Sequence, residues 1–186
     1  MEICPDQRIG LLNGWLLVVI FSLVFGSFLL LCPKEVVTRL YERPHRNVSA
    51  TIRRILGVVL ALAWLLLTTM TPLQHAGVTL VIGLTLYVCG LTGFVLALFS
   101  YARTPADQPV ASGLYRFSRH PQQVMVSLVF LGISVAIGSW IAVGLILVGV
   151  IAAHAKVLAE ERACLDTYGD SYRDYMKRVP RYFLLF

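Results

Sequence analysis

Charge is scarce in this chain and unevenly placed. Asp, Glu, Lys and Arg make up 14% of the 186 residues, and none of them falls between Gln122 and Ala155. Hydrophobic residues make up 58% and the mean hydropathy is +0.76, a balance that excludes a soluble domain. Cys4, Cys32, Cys89 and Cys164 form no Cys-x-x-Cys, and His45, His75 and His154 stand at no metal-ligand spacing. A disulfide framework and a metal centre are therefore not expected, and the thiols read as inert small hydrophobes. No run of Lys and Arg is interleaved with aromatics, which argues against a nucleic-acid surface. Internal repeats and low-complexity segments are missing too. The first apolar run follows only Arg8 set against Glu2 and Asp6 and is long for a signal peptide, so a retained helix is expected.

What is present is four long apolar blocks: Ile9–Leu31, Ile55 to about His75, Ala76–Ser100 and Gln122–Ala155. A helix needs about 20 apolar residues to cross a hydrocarbon layer roughly 30 Å thick. The first three blocks each supply one crossing. The fourth is long enough for two short ones if it breaks near Gly138-Ser139. The expected fold is an all-α integral membrane protein with five transmembrane helices, the last two a helical hairpin, and a cytoplasmic C-terminal helical tail. It forms one membrane domain, with a three-helix part over residues 1–100 and a loop, hairpin and tail over residues 101–186.

The cations agree with an odd number of crossings. Of 16 Lys and Arg, six lie between the first two blocks (Lys34, Arg39, Arg43, Arg46, Arg53, Arg54). Arg103, Arg116 and Arg119 precede the fourth block, six more lie in the tail, and Arg8 alone is left for the other face. Basic loops stay on the cytoplasmic side, so the N-terminus is expected outside. The net charge of +6 then reports orientation and attraction to anionic headgroups.

Pro33 and Pro44 bracket a segment whose Val36, Val37, Leu40 and Tyr41 have helical spacing, as in a short interfacial helix. Arg53-Arg54 would anchor the next crossing at the headgroups. The third block carries Gly77, Gly83, Gly90 and Gly93 with Thr79, Thr85 and Thr92. Such small residues let helices approach closely, or the hydroxyls line a polar cavity. A loop over Tyr101–Ser112, with Pro105 and Pro109, is long enough to fold over a ligand. The last crossing is expected to continue to Tyr168, with Gly169 as its cap and a short helix bearing Tyr172, Tyr175 and Met176 folding back.

Two polar clusters flank the uncharged block. Gly113-Leu114-Tyr115-Arg116-Phe117-Ser118-Arg119-His120-Pro121 precedes it, and Lys156, Glu160-Glu161, Tyr168-Gly169 and Tyr172-Arg173 follow. A hairpin returns the chain to its starting face, so the two clusters are expected to form one site. Plainer alternatives stand beside each residue. Arg119 could anchor a helix end, His120-Pro121 could only start a helix, Glu160-Glu161 could be a solvated face paired to Lys156 and Arg162, and the tyrosines could be an interfacial belt.

In order and spacing, Gly113, Tyr115, Arg119-His120-Pro121, the hairpin, Glu160-Glu161, Tyr168-Gly169, Tyr172-x-x-Tyr175 and Val179-Pro180 resemble the isoprenylcysteine carboxyl methyltransferase and phospholipid methyltransferase superfamily. The resemblance covers Ser112 to Arg181. It implies S-adenosylmethionine as cofactor, and a lipid or small hydrophobic molecule as methyl acceptor. It implies cofactor binding by Tyr115, Arg119, His120, Pro121, Glu160, Glu161, Tyr168 and Tyr172, and catalytic roles for Lys156, Glu160 and Arg119. Arg119 and His120 suit the cofactor carboxylate, a Glu suits its ribose or ammonium, and the tyrosines offer faces to the adenine or sulfonium. Lys156 stands where isoprenylcysteine methyltransferases have an Arg; it keeps the charge without the bidentate fork. The pattern is departed from at Gln123 and Met125, which replace a Tyr and a Gly. The first removes a stacking face and the second fills space. An NADPH-dependent membrane reductase, similar in the same region, and a non-catalytic protein retaining the fold are the competing readings.

Overall fold

A computed structural model describes residues 1–3, 5–41, 48–74 and 77–183, with the backbone alone for residues 48–50 and 53. Cys4, Arg43, Pro44, His45, Arg46 and His75 lie outside the described residues, as does the side chain of Arg53. The described residues form seven α-helices and no strand: α1 (Trp15–Leu31), α2 (Lys34–Tyr41), α3 (Val48–Met70), α4 (Val78–Arg103), α5 (Pro121–Ala136), α6 (Trp140–Tyr168) and α7 (Asp170–Arg178), with a 3-10 turn at Gly113–Arg116 before α5.

Two helices, α4 and α6, are long and apolar enough to cross a membrane; Trp15–Leu31, Arg54–Met70 and Pro121–Ala136 are shorter apolar helices. The first block falls short because Asn13 holds its start out of the helix. That side chain is buried and donates to Arg8 O at 2.6 Å and Thr69 O at 2.8 Å. The helix then begins at Trp15 and keeps 17 residues, about 25 Å of rise. Pro72 ends the second block early, since the residue before a proline is driven from helical angles. The loop expected from Tyr101 starts only at Thr104, because α4 runs one turn further.

The break in the fourth block lies at Gly138-Ser139. Gly138 has φ +69° and would bring a Cβ to within 2.6 Å of Gln74 Nε2. Ser139 then caps α6, accepting from Ala142 N at 3.2 Å. The apolar part of α6 ends at Ala155, and Lys156–Tyr168 continues the same helix beyond it to Gly169, φ +55°.

Close backbone approach fastens α4 to α5. A Cβ on Gly90 would sit 2.7 Å from Val129 N, and one on Gly132 would sit 2.5 Å from Tyr87 N. Met125 is the side chain that fills the space against Gly93. The residue in place of the family glycine therefore points into the α4–α5 seam, where Gly93 makes room for it. Around this seam Leu17, Trp64, Tyr87, Val129, Ile133 and Ile137 form a buried core. Phe28, Phe94 and Leu98 form a second cluster, against which Leu40 of α2 packs. That contact lays α2 at the end of the bundle where α5 begins and α6 emerges.

Candidate active site

The 3-10 turn and the start of α5 are laced to the tail by backbone and hydroxyl bonds. Arg119 N donates to Pro180 O at 3.0 Å, and Ser118 Oγ donates to Arg181 O at 2.8 Å. His120 N donates to Ser118 Oγ at 3.2 Å, and Tyr175 Oη donates to Tyr115 O at 2.6 Å. Pro121 occupies the first turn of α5, where its missing N–H leaves no bond unmade. The two polar clusters of the sequence are thus parts of one assembly.

At its centre is Glu161, 4% exposed. Arg181 reaches it with two nitrogens, Nε to Oε1 at 3.1 Å and Nη2 to Oε2 at 2.8 Å. Arg119 Nε and His120 Nε2 each lie 3.3 Å from Oε1. A carboxylate only accepts, so His120 carries its proton on Nε2. Burial alone would raise the Glu161 carboxyl. Hydrogen bonds from His120 and Arg181, with the charge of Arg119, reverse that and hold it down at about 2.

Above this assembly lies a cavity of about 910 Å³. Its walls include Tyr115, Arg119, His120, Lys156, Glu160, Tyr168 and Tyr172. Lys156, Glu160, Cys164 and Thr167 form one stripe of α6, at helical spacing. Glu161 and Pro121 stand behind the wall rather than in it. Two donors at the cavity are buried without a hydrogen-bond partner among the described residues, Arg119 Nε and Gln122 Nε2. Arg119 Nε faces Glu161 as an ion pair; the Gln122 amide has no such partner, and an unpaired buried donor is costly, so it is the one left for an acceptor in the cavity. Burial raises the Tyr115 and Tyr172 hydroxyls and pushes the Cys164 thiol, beside Glu160, up to about 11. All three are therefore neutral at physiological pH, and Cys164 is no thiolate nucleophile.

Sequence reasoning missed the contribution of α2. Lys34, Glu35, Thr38 and Arg39 form its polar face and line the cavity. Arg39 lies over the Tyr101 ring at 4.3 Å, donates to Tyr101 Oη at 3.0 Å and to Thr104 O at 3.0 Å. On the other side Tyr168 Oη donates to Ala106 O at 3.1 Å, so the start of the loop after α4 is held from two sides. The signal was available: the polar residues of α2 lie opposite the apolar stripe that marked it as interfacial. Gln122 and the partnership of Arg181 with Glu161 carried no such signal.

The described residues thus form an all-helical protein with apolar helices and a polar cavity at one end of them. Residues 100–171 match the phospholipid methyltransferase family model, a family of the same group of membrane methyltransferases as the sequence resembles. The match runs from the last turn of α4 into α7, and so takes in the first polar cluster and the second as far as Gly169. It leaves out α2, Tyr172 and Arg181. No curated protein matches the chain.

Proposed function

We propose that the protein transfers a methyl group from S-adenosylmethionine to an amphiphilic acceptor held in the membrane, a lipid or another hydrophobic small molecule. The observation that supports this best is the meeting of Arg119-His120, from before the hairpin, with Lys156, Glu160 and Tyr172, from after it, on one cavity that the unpaired buried amide of Gln122 also lines. The donor set fits the cofactor. Arg119 and Gln122 would take its carboxylate, with His120 beside them. Glu160, exposed on the α6 stripe, would accept from its ammonium or ribose hydroxyls. Tyr115, Tyr168 and Tyr172 offer neutral ring faces. When bound, the cofactor supplies an electrophilic methyl on a sulfonium.

The residues of the chain then have to position the two reactants and exclude water. Lys156, one turn from Glu160, sets a cation beside the acceptor head. Glu160 accepts a proton from an amine or hydroxyl acceptor as the new bond forms. Glu161 and Pro121 act from behind the wall by fixing Arg119 and His120. In this reading the five apolar helices all cross the bilayer, and the fifteen Lys and Arg outside Arg8 place the cavity on the cytoplasmic side.

Calorimetry with S-adenosylhomocysteine in detergent tests the reading. Micromolar binding is expected, lost on Glu160→Ala with thermal stability retained, because Glu160 touches none of the buried assembly. A well-folded protein without such binding would sink it, and thermal stabilisation by NADPH instead would favour a reductase.

A further inference from the structure

Three of the apolar helices, Trp15–Leu31, Arg54–Met70 and Pro121–Ala136, have at most 17 residues. Their rise is about 25 Å, against a hydrocarbon layer of roughly 30 Å. At the end away from the polar cavity, the segment before α1 lies across the helix ends instead of adding a turn to them. Glu2 N donates to Gly138 O at 2.8 Å, and Glu2 O accepts from Trp140 N at 3.0 Å. Further on, Arg8 N donates to Met70 O at 2.7 Å, Leu12 O accepts from Leu73 N at 2.9 Å and Gly14 N donates to Thr71 O at 3.1 Å. The segment ties the α5–α6 turn to the α3–α4 turn before it enters α1.

Its side chains divide sharply. Asp6, Gln7 and Arg8 are exposed and polar. Directly after them Ile9, Leu11 and Leu12 are 83%, 84% and 67% exposed, and they continue the exposed apolar surface that Val19 and Leu23 present on α1. The backbone around these three is met by protein: Arg8 O accepts from Asn13 Nδ2, Gly10 O accepts from Trp15 Nε1 at 2.9 Å, and Leu12 O is held by Leu73. Non-helical backbone is admitted at hydrocarbon depth where protein satisfies its polar groups. One extended chain laid beside its neighbours adds about 5 Å, the depth that the short helices lack.

We propose that residues 9–12 are a lipid-contact segment seated in the hydrocarbon of the leaflet away from the cavity, where acyl chains cover Ile9, Leu11 and Leu12 and residues 6–8 mark the headgroup level. The proposal rests on the reading that the five apolar helices all cross the bilayer. In water these three large side chains would forgo the transfer energy that burial gives them. Against lipid tails they extend the apolar height of the bundle from about 25 Å to about 30 Å. The segment thus sets the bilayer thickness to which the protein is matched. It does so although Asn13 and Pro72 stop the neighbouring helices short.

Nitroxide labels test the depth. With the native cysteines replaced by alanine, Leu11→Cys, Asp6→Cys and Leu62→Cys each carry a label in vesicles of dioleoylphosphatidylcholine; Leu62 is an exposed residue inside α3. The readout is collision with oxygen, which concentrates in hydrocarbon, against collision with a water-soluble nickel chelate. Oxygen should exceed the chelate several-fold at positions 11 and 62, with the order reversed at position 6. Chelate access at position 11 equal to that at position 6, with position 62 in lipid, would overturn the proposal and leave the crossings standing. Chelate access at position 62 would remove the crossing reading, and the proposal with it. Spin–spin broadening at position 11, with neither reagent reaching it, would assign the segment to a second copy and overturn the proposal too. The thickness role has its own readout. Ile9→Ser, Leu11→Ser and Leu12→Ser combined should leave the unfolding midpoint unchanged in vesicles of 14-carbon lipid and lower it by about 5 °C in 18-carbon lipid. Equal shifts in both lipids would overturn that role.

Discussion

Replacing Glu161 by Gln keeps the shape of the side chain and deletes the charge that Arg119, His120 and Arg181 share. The carboxyl falls from an ordinary 4.5 to about 2, which at about 1.4 kcal/mol per unit amounts to about 3 kcal/mol of stabilisation by the charged form. This agrees with the 3–5 kcal/mol typical of breaking a buried ion pair by removing one partner. Because the folded-state value is depressed, the contribution is complete above about pH 4.5. It disappears as pH falls towards about 2. The element it holds is the tail, so the effect should appear as local opening. Hydrogen exchange at the Arg119 amide, bonded to Pro180 O, is the reporter. Glu161→Gln should raise its opening about a hundredfold at pH 7. The wild type should approach the variant as the carboxyl is protonated, and the variant should show no such pH dependence. Protection in the variant within threefold of wild type at pH 7 would refute the argument that this carboxylate fastens the two halves of the site.

Two glycine substitutions should move stability in opposite directions. Gly90→Ala would press a methyl on Val129 N and Met125 O and cost about 1–3 kcal/mol, whereas Gly149→Ala should gain roughly 0.5–1 kcal/mol of helix propensity; midpoints of unfolding in mixed micelles read both. Arg39→Ala removes the bonds to Tyr101 and Thr104 that hold α2 to the wall, and bonds from a charged donor are worth about 1.5–3 kcal/mol. Binding of S-adenosylhomocysteine should weaken by about tenfold, with Arg39→Lys restoring less than half of the loss in free energy because the fork is gone. Equal affinities in calorimetry would detach α2 from the site.

Elements written in local chemistry were legible from the sequence. Gly138-Ser139 marked the break in the last apolar block, Gly169 marked the end of α6, and paired prolines with an apolar stripe marked α2. Boundaries decided by distant partners were not. Asn13 shortens α1 because of a carbonyl on Thr69, and α4 extends through Tyr101 to Arg103, where Arg39 of another helix bonds Tyr101. The same division runs through the site. Tyr115, Arg119, His120, Lys156, Glu160, Tyr168 and Tyr172 were expected together because a hairpin must return to its own face, and all of them line the cavity. Glu160 and Glu161 look alike in sequence, yet a turn of about 100° puts one in the cavity wall and the other among Arg119, His120 and Arg181 behind it. Met125 was expected to fill space, but nothing local shows that the space is the one Gly93 leaves in the helix seam.

The lacing of Arg119 to Pro180 and of Glu161 to Arg181 has a consequence for biosynthesis. Every apolar helix is made and can enter the bilayer before residue 180 has left the ribosome. Until then Arg119 N lacks the Pro180 carbonyl, and Glu161 lacks Arg181, which among the described residues grips both of its oxygens. Synthesis of the apolar helices and closure of the assembly around Glu161 are therefore separate events for this chain, the second waiting for Pro180 and Arg181.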